Sequence, residues 1–234
     1  MRVLFLCIAS LLALNSCSIL KPSPKRTFVD GYYLQTTENK KQKVYVDVED
    51  EIVRIHQIKI IDNQKVIDKI NSKNYPVKEK GGFDEQTSFS NRSFDIDILT
   101  IPLKYRFPLY DVPSQLNANL NGAVYLGYRT DKYSISYLSS PKKEASRNIT
   151  HYGFSMGLFT GLGNTAMNPT NTFNRINQEY EGIIWNKGMA GIFAINNFTA
   201  GFSLGLDNLL DYNRKVWIYE GKPWIGIAFG LNLN

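Results

Sequence analysis

His151 and Ser155 are the residues of this chain whose types and spacing come nearest to reaction chemistry. A histidine that takes a proton from a serine hydroxyl, with a carboxylate steering the ring, is the working arrangement of a hydrolase. Four residues along a strand separate two Cα atoms by about 13 Å, too far for a direct bond between these side chains. The pair reads better as polar filling of a narrow interior. His56 is the second histidine, and the chain has no HExxH, no Cys/His cluster, no GxGxxG opening a helix and no GxSxG at a strand-to-helix turn, since Gly153–Gly157 and Gly201–Gly205, which match that spacing, lie on strand patterns. The Gly-rich run Gly157–Gly163 lies on a strand pattern, which does not cradle phosphate. No catalytic residue, metal or cofactor is expected.

Cys17 offers a different chemistry. An apolar run, Val3–Leu14, follows the single positive charge of Arg2 and ends in Leu14-Asn15-Ser16-Cys17. The run is too short to span a bilayer as a helix and has the length of a secretory leader. The four residues that end it resemble the lipobox of bacterial lipoproteins, which implies cleavage after Ser16 and acylation of Cys17. The alternative is an ordinary leader that happens to contain a cysteine. Residues 1–16 are then signal peptide, and 17–27 a lipidated tether with Pro22 and Pro24. Ser18 follows the cysteine, so the Asp of an inner-membrane retention signal is absent, as is an acidic surface-export run. Sorting by analogy places the anchor on the periplasmic side of the outer membrane of a Gram-negative bacterium.

A third group is electrostatic. In Ser93–Phe107, Phe94, Ile96 and Ile98 share one face with Asp95 and Asp97 opposite. After Pro102 the apolar parity moves to Leu103, Tyr105 and Phe107, with Lys104 and Arg106 opposite. Proline cannot donate to a ladder, so a bulge at Pro102 is the simple cause. With that bulge, Asp95, Asp97, Lys104 and Arg106 all face one interior and can form lumen ion pairs. Otherwise Lys104 and Arg106 lie beyond a membrane edge.

The elements that must position these groups are strands. In His151–Gly163, Tyr152, Phe154, Met156, Leu158 and Leu162 fall on one face, while the other is small or polar. Gln115–Tyr128, Phe198–Leu206 and Trp224–Asn234 repeat the pattern. Those three stretches, His151–Gly163 and Gly188–Leu206 contain no Asp, Glu, Lys or Arg. A soluble sheet would show charge on its wet face. Strands with lipid outside and a tight lumen inside would not. Trp185, Trp217 and Trp224 lie near strand ends, where aromatic girdles belong.

The run Thr100-Ile101-Pro102-Leu103-Lys104-Tyr105 resembles the IPL-x-Y strand of the outer-membrane β-barrel families of Bacteroidota. The ending WIGIAFGLNLN is similar to their closing strands. The resemblance covers about residues 93–234 and implies insertion by the barrel assembly machinery. The lipobox implies the lipoprotein sorting machinery and outer-membrane lipid as partners. The terminal Asn234 departs from the C-terminal aromatic that many such barrels carry.

Composition divides the remainder. Lys21–Arg92 carries 25 of the 48 charged residues and three of the 17 glycines, so 28–92 reads as a charged β-meander and long loop and 93–234 as the barrel. The meander has strands over 28–35, 43–48 and 52–60. Residues 62–92 read as a polar loop with a short helix near 64–73. Turns are expected at 129–131 and 207–213, a polar connection at 139–148, a tight hairpin at Asn196-Asn197 and extended chain at 216–219. The net charge of +6 is scattered among acids, with no basic helix, which argues against nucleic acid.

The expected fold is all-β: an antiparallel up-and-down barrel of about eight to ten strands with long polar loops. The expected role is that of a lipid-anchored outer-membrane barrel with a structural, narrow-pore or surface-binding function. The alternatives are a periplasmic lipoprotein whose soluble barrel holds an apolar ligand, and an outer-membrane lipid hydrolase using His151 and Ser155. The ligand is not legible.

Overall fold

The computed structural model describes residues 28–37, 40–49, 52–61, 64–79, 87–140, 143–196 and 198–232. The leader, Cys17, the tether and Asn197 lie outside them. The all-β antiparallel barrel expected from the sequence is what forms. Its strands are β1 (Gly31–Thr37), β2 (Lys40–Glu49), β3 (Ile52–Ile61), β4 (Gln64–Pro76), β5 (Lys78–Glu79), β6 (Thr87–Arg106), β7 (Gln115–Ala118), β8 (Asn121–Ser140), β9 (Lys143–Met167), β10 (Tyr180–Ile195), β11 (Phe198–Leu209) and β12 (Pro223–Asn232). Ten of them follow one path, β12-β11-β10-β9-β8-β6-β1-β2-β3-β4, with β5 on β9 and β7 on β6.

That path makes two rings stacked end to end. In the lower ring β6, β8, β9, β10, β11 and β12 close on themselves, because β12 pairs β6 from Trp224↔Arg106 to Asn232↔Asp97. Above it β12 gives way to β1, which pairs β6 at Leu34↔Ser90. The chain then runs β1-β2-β3-β4, and β5 returns to β9 at Lys78↔Ser146. Arg147 N donates to Val77 O at 2.8 Å beside that pairing. The upper ring is therefore partly closed, and β6, β8 and β9 belong to both.

The two rings invert one another. Inside the upper ring Val44, Val46, Val53, Tyr75, Phe89 and Tyr133 form an apolar core with Phe28, and lysines such as Lys40, Lys41 and Lys43 are exposed. Outside the lower ring the exposed residues are Leu126, Met156, Leu158, Phe193, Phe202 and others like them. Charged and polar side chains point inward there. On β6 a single bulge reconciles the faces: Thr100 pairs Phe229 but Leu103 pairs Ile227. The extra residue on β6 at Ile101-Pro102 moves the inward set from odd to even positions.

Several local expectations are corrected. Residues 64–76, 78–79 and 87–92 are strand, so these parts of 62–92 are not loop and 64–73 is not a helix. A bulge at His56/Gln57 breaks the alternation in the β3–β4 hairpin, which hid it. The boundary near residue 92 falls inside β6. Arg129-Thr130-Asp131 is not a turn but the middle of β8, and 139–148 is mostly β8 and β9 strand. Asp207 belongs to β11, and 216–220 is turn rather than extended chain. Asn196 does turn the β10–β11 hairpin, at φ 48°.

The β3–β4 hairpin carries its own pH dependence. Asp68 accepts from Asn71 Nδ2 at 2.9 Å and from the Ile70 N–H, and meets Lys59 Nζ at 2.7 Å. Lys59 first, then Asn71, holds this carboxyl far below the usual range. A depressed folded-state pKa stabilises the fold above the ordinary carboxylate value of about 4 and loses that contribution as pH falls toward the depressed one. Amide exchange in β3 and β4, normalised to intrinsic rates, should be slower at pH 5 than below pH 2. Equal protection at both would remove Asp68 from the account.

Candidate functional site

The lumen of the lower ring holds three layers of side chains. The layer nearest the upper ring comes from β8 and β9. Odd residues of β8 point inward, which brings Tyr125, Arg129, Asp131 and Tyr133 onto one face, and β9 adds His151, Gly153 and Ser155. Arg129 Nε donates to both oxygens of Asp131 at 2.8 Å. His151 Nε2 lies 2.6 Å from Asp131 Oδ1, and its ring stacks on Tyr133 with centroids 4.7 Å apart. Gly153 sits between, where a Cβ would strike Arg129 and Asp131. Ser155 Oγ and the Tyr125 hydroxyl share a hydrogen bond of 2.8 Å.

His151 and Ser155 thus share the inward face as the spacing predicts, but each spends its hydrogen bond elsewhere. The imidazole has its carboxylate, as a hydrolase would require, yet among the described residues no nucleophile bonds to it. His56 is in the upper ring, 3.8 Å from Asp47. Among the described residues no group of three or more His, Cys, Asp or Glu is placed to hold a metal ion.

The middle layer is apolar. Leu99, Ile101, Ala123, Phe159, Ala190 and Ile192 are buried against one another and against Trp224. A six-stranded ring is narrow, and these side chains fill it.

The third layer lies toward the long connections 107–114, 168–179 and 210–222. Asp95, Asp97, Lys104 and Arg106 all point inward and are at most 2% exposed. Asp95 and Asp97 sit higher, toward Arg129, and Lys104 and Arg106 lower. The partner of both cations is Asp207, from Lys104 Nζ at 2.9 Å and from Arg106 Nη2 at 2.5 Å. Lys104 Nζ stands 4.3 Å over the Trp224 ring, and the Arg106 guanidinium lies about 5 Å from the rings of Trp217 and Tyr219. Such contacts favour a cation withdrawn from water.

Sequence reading missed Arg129, Asp131 and Asp207 because charges among Asn, Thr and Asp look like turns. The signal was parity. Arg129 and Asp131 are in phase with Tyr125 and Gly127, and Asp207 with Ser203 and Gly205, all inward. What the arrangement does chemically is neutralise charge in a sealed interior. No protein-family model matches the chain, and neither a curated protein nor a solved structure matches it.

Proposed function

We propose that this chain is a lipid-anchored outer-membrane barrel whose lower ring spans the bilayer with a sealed lumen. Its work is done at its two ends, as a binding surface or structural element, and not by catalysis or conduction. The observation that carries the reading is the inversion between the rings. The same three strands bear an exposed apolar belt below and a polar surface above. On β9 the belt runs from Tyr152 to Leu162. Ten steps of about 3.4 Å, tilted by about 40°, give a height near 26 Å, close to the ~25 Å apolar band of outer-membrane barrels.

The connections suggest the orientation. One end of the lower ring has the Asn196 turn, the last strand's end and the upper ring; the other has the three long connections. Short turns belong on the periplasmic side and long loops outside. That puts the upper ring in the periplasm, on the side where acylated Cys17 would anchor. The filled middle layer supports a closed barrel over a channel or a cage for an apolar ligand.

Carbonate-washed outer membranes test the proposal. The protein should remain in them, migrate faster unboiled than boiled, and stay when Cys17 is replaced by Ala. Leu158→Arg should cost about 2–4 kcal/mol near the bilayer midplane, read as a lower temperature for loss of the fast band, while Thr36→Arg on the upper ring changes little. Release of Cys17→Ala into the periplasm would overturn membrane spanning.

A further inference from the structure

The upper ring carries a groove of about 770 Å³ on its outer side. Its lining joins distant strands: Ile58, Ile60 and Lys65 come from the β3–β4 hairpin, Ser90 and Arg92 from β6, and Thr130 from β8. The bulge at His56/Gln57 bends the hairpin, and its outer half overhangs the sheet. Tyr32 and Leu34 of β1 complete the apolar floor, both exposed. Among the described residues its charged lining is Lys43, Lys65 and Arg92, with no carboxylate.

The height of the groove identifies its occupant. Arg92 and Thr130 are cross-strand partners, and two residues farther down each strand the partners are Phe94 and Tyr128. Those two aromatics are the first exposed belt members on β6 and β8, 59% and 58% accessible, and on β9 the belt begins higher, at Tyr152 opposite Lys132 and Phe154 opposite Thr130. Arg92 is thus at the belt's upper rim, and Lys43, which pairs Leu34 opposite Ser90, stands one two-residue step of about 7 Å higher, the level where headgroup phosphates lie when the belt is in the hydrocarbon. Volume and apolar floor match a site for a ligand with a greasy part. Guanidinium and ammonium groups match a phosphate.

We infer that the groove binds one anionic phospholipid of the periplasmic leaflet. Its phosphate meets Arg92, Lys43 and Lys65 beside Leu34 and Ile58, and its acyl chains run down from Tyr32 toward Phe94 and Tyr128 in the belt. This rests on the membrane-spanning reading above.

The test is native mass spectrometry of the full chain released from neutral detergent micelles and titrated with phosphatidylglycerol or phosphatidylcholine. The wild type should retain one phosphatidylglycerol at a concentration about tenfold below that needed for phosphatidylcholine. The K43Q/K65Q/R92Q variant should bind both lipids alike while keeping its fast unboiled migration. Millimolar inorganic phosphate should not displace the lipid. Equal retention of the two lipids by the wild type, or undiminished phosphatidylglycerol on the variant, would overturn the site. Displacement by inorganic phosphate would make it a free-anion site and overturn the lipid assignment. Because the titration is done in detergent, it reads the groove separately from membrane retention, whose failure would instead refute the spanning barrel.

Discussion

Asp207→Asn should destabilise the protein by about 3–5 kcal/mol, the usual cost of removing one member of a buried ion cluster. Asp207 is fully buried and takes a hydrogen bond from Lys104 on one oxygen and from Arg106 on the other. The amide keeps the shape and loses the charge. Two cations then remain buried in the lumen without their bonded carboxylate, held over the rings of Trp217, Tyr219 and Trp224. Removing all three charges should be far milder: Lys104→Met, Arg106→Met and Asp207→Leu together should recover most of the loss, since well-packed apolar groups often replace a buried ion cluster at little cost. Urea midpoints of the detergent-solubilised barrel, followed by the fast-to-slow shift on gels, measure both. A loss under about 1 kcal/mol for Asp207→Asn would mean that another group balances these cations.

Trp224→Ala should cost a similar amount, about 3–5 kcal/mol, for a different reason. The indole has no exposed surface, packs on Phe159 with ring centroids 6.0 Å apart, and lies over Gly205. It bridges the apolar layer and the cation layer, and a six-stranded wall has little freedom to collapse into the gap. Its Nε1 makes no hydrogen bond, so Trp224→Phe should retain much of the stability. Gly205→Ala should be disruptive with the indole still present, because the new Cβ would run into the ring. That substitution should cost about 1–3 kcal/mol. The same midpoint measurement applies, and a neutral Gly205→Ala would show that Trp224 can leave its place cheaply.

The barrel was legible wherever the chain meets one environment on each side. Leu116, Leu126, Met156, Phe202 and Ile227 alternate with small or polar residues, and the structure exposes them as a face. The bulge at Pro102 was legible too, because four charges and one proline allow few other arrangements. The upper ring was much less so. Its β4 exposes Val66 and Ile70 among Gln, Lys and Asn and buries Asp68, and the irregularity between the His56↔Ser72 and Gln57↔Asp68 pairs erases the period of two on which strand recognition depends. The lumen clusters were half visible. Lys104 and Arg106 could be aimed inward from their own strand, but their counter-charge lies about a hundred residues away on β11. Spacing along one strand says nothing about which other strand closes the ring. For Arg129 and Asp131 the ordinary association of charge with turns outweighed a parity that ran on unbroken.

The sharing of β6, β8 and β9 by both rings bears on mechanics. A lipoprotein domain hung from its acyl chains by a flexible tether swings freely and samples every distance that the tether permits. Here three continuous strands pass from one ring to the other without an intervening hinge. Bending such a beam would mean breaking ladder hydrogen bonds on several strands at once. With the belt seated in lipid, the upper ring keeps one height and one tilt relative to the membrane plane. The chain would then act as a bracket, holding whatever docks on the upper ring at a set tilt and stand-off, which a tether cannot do.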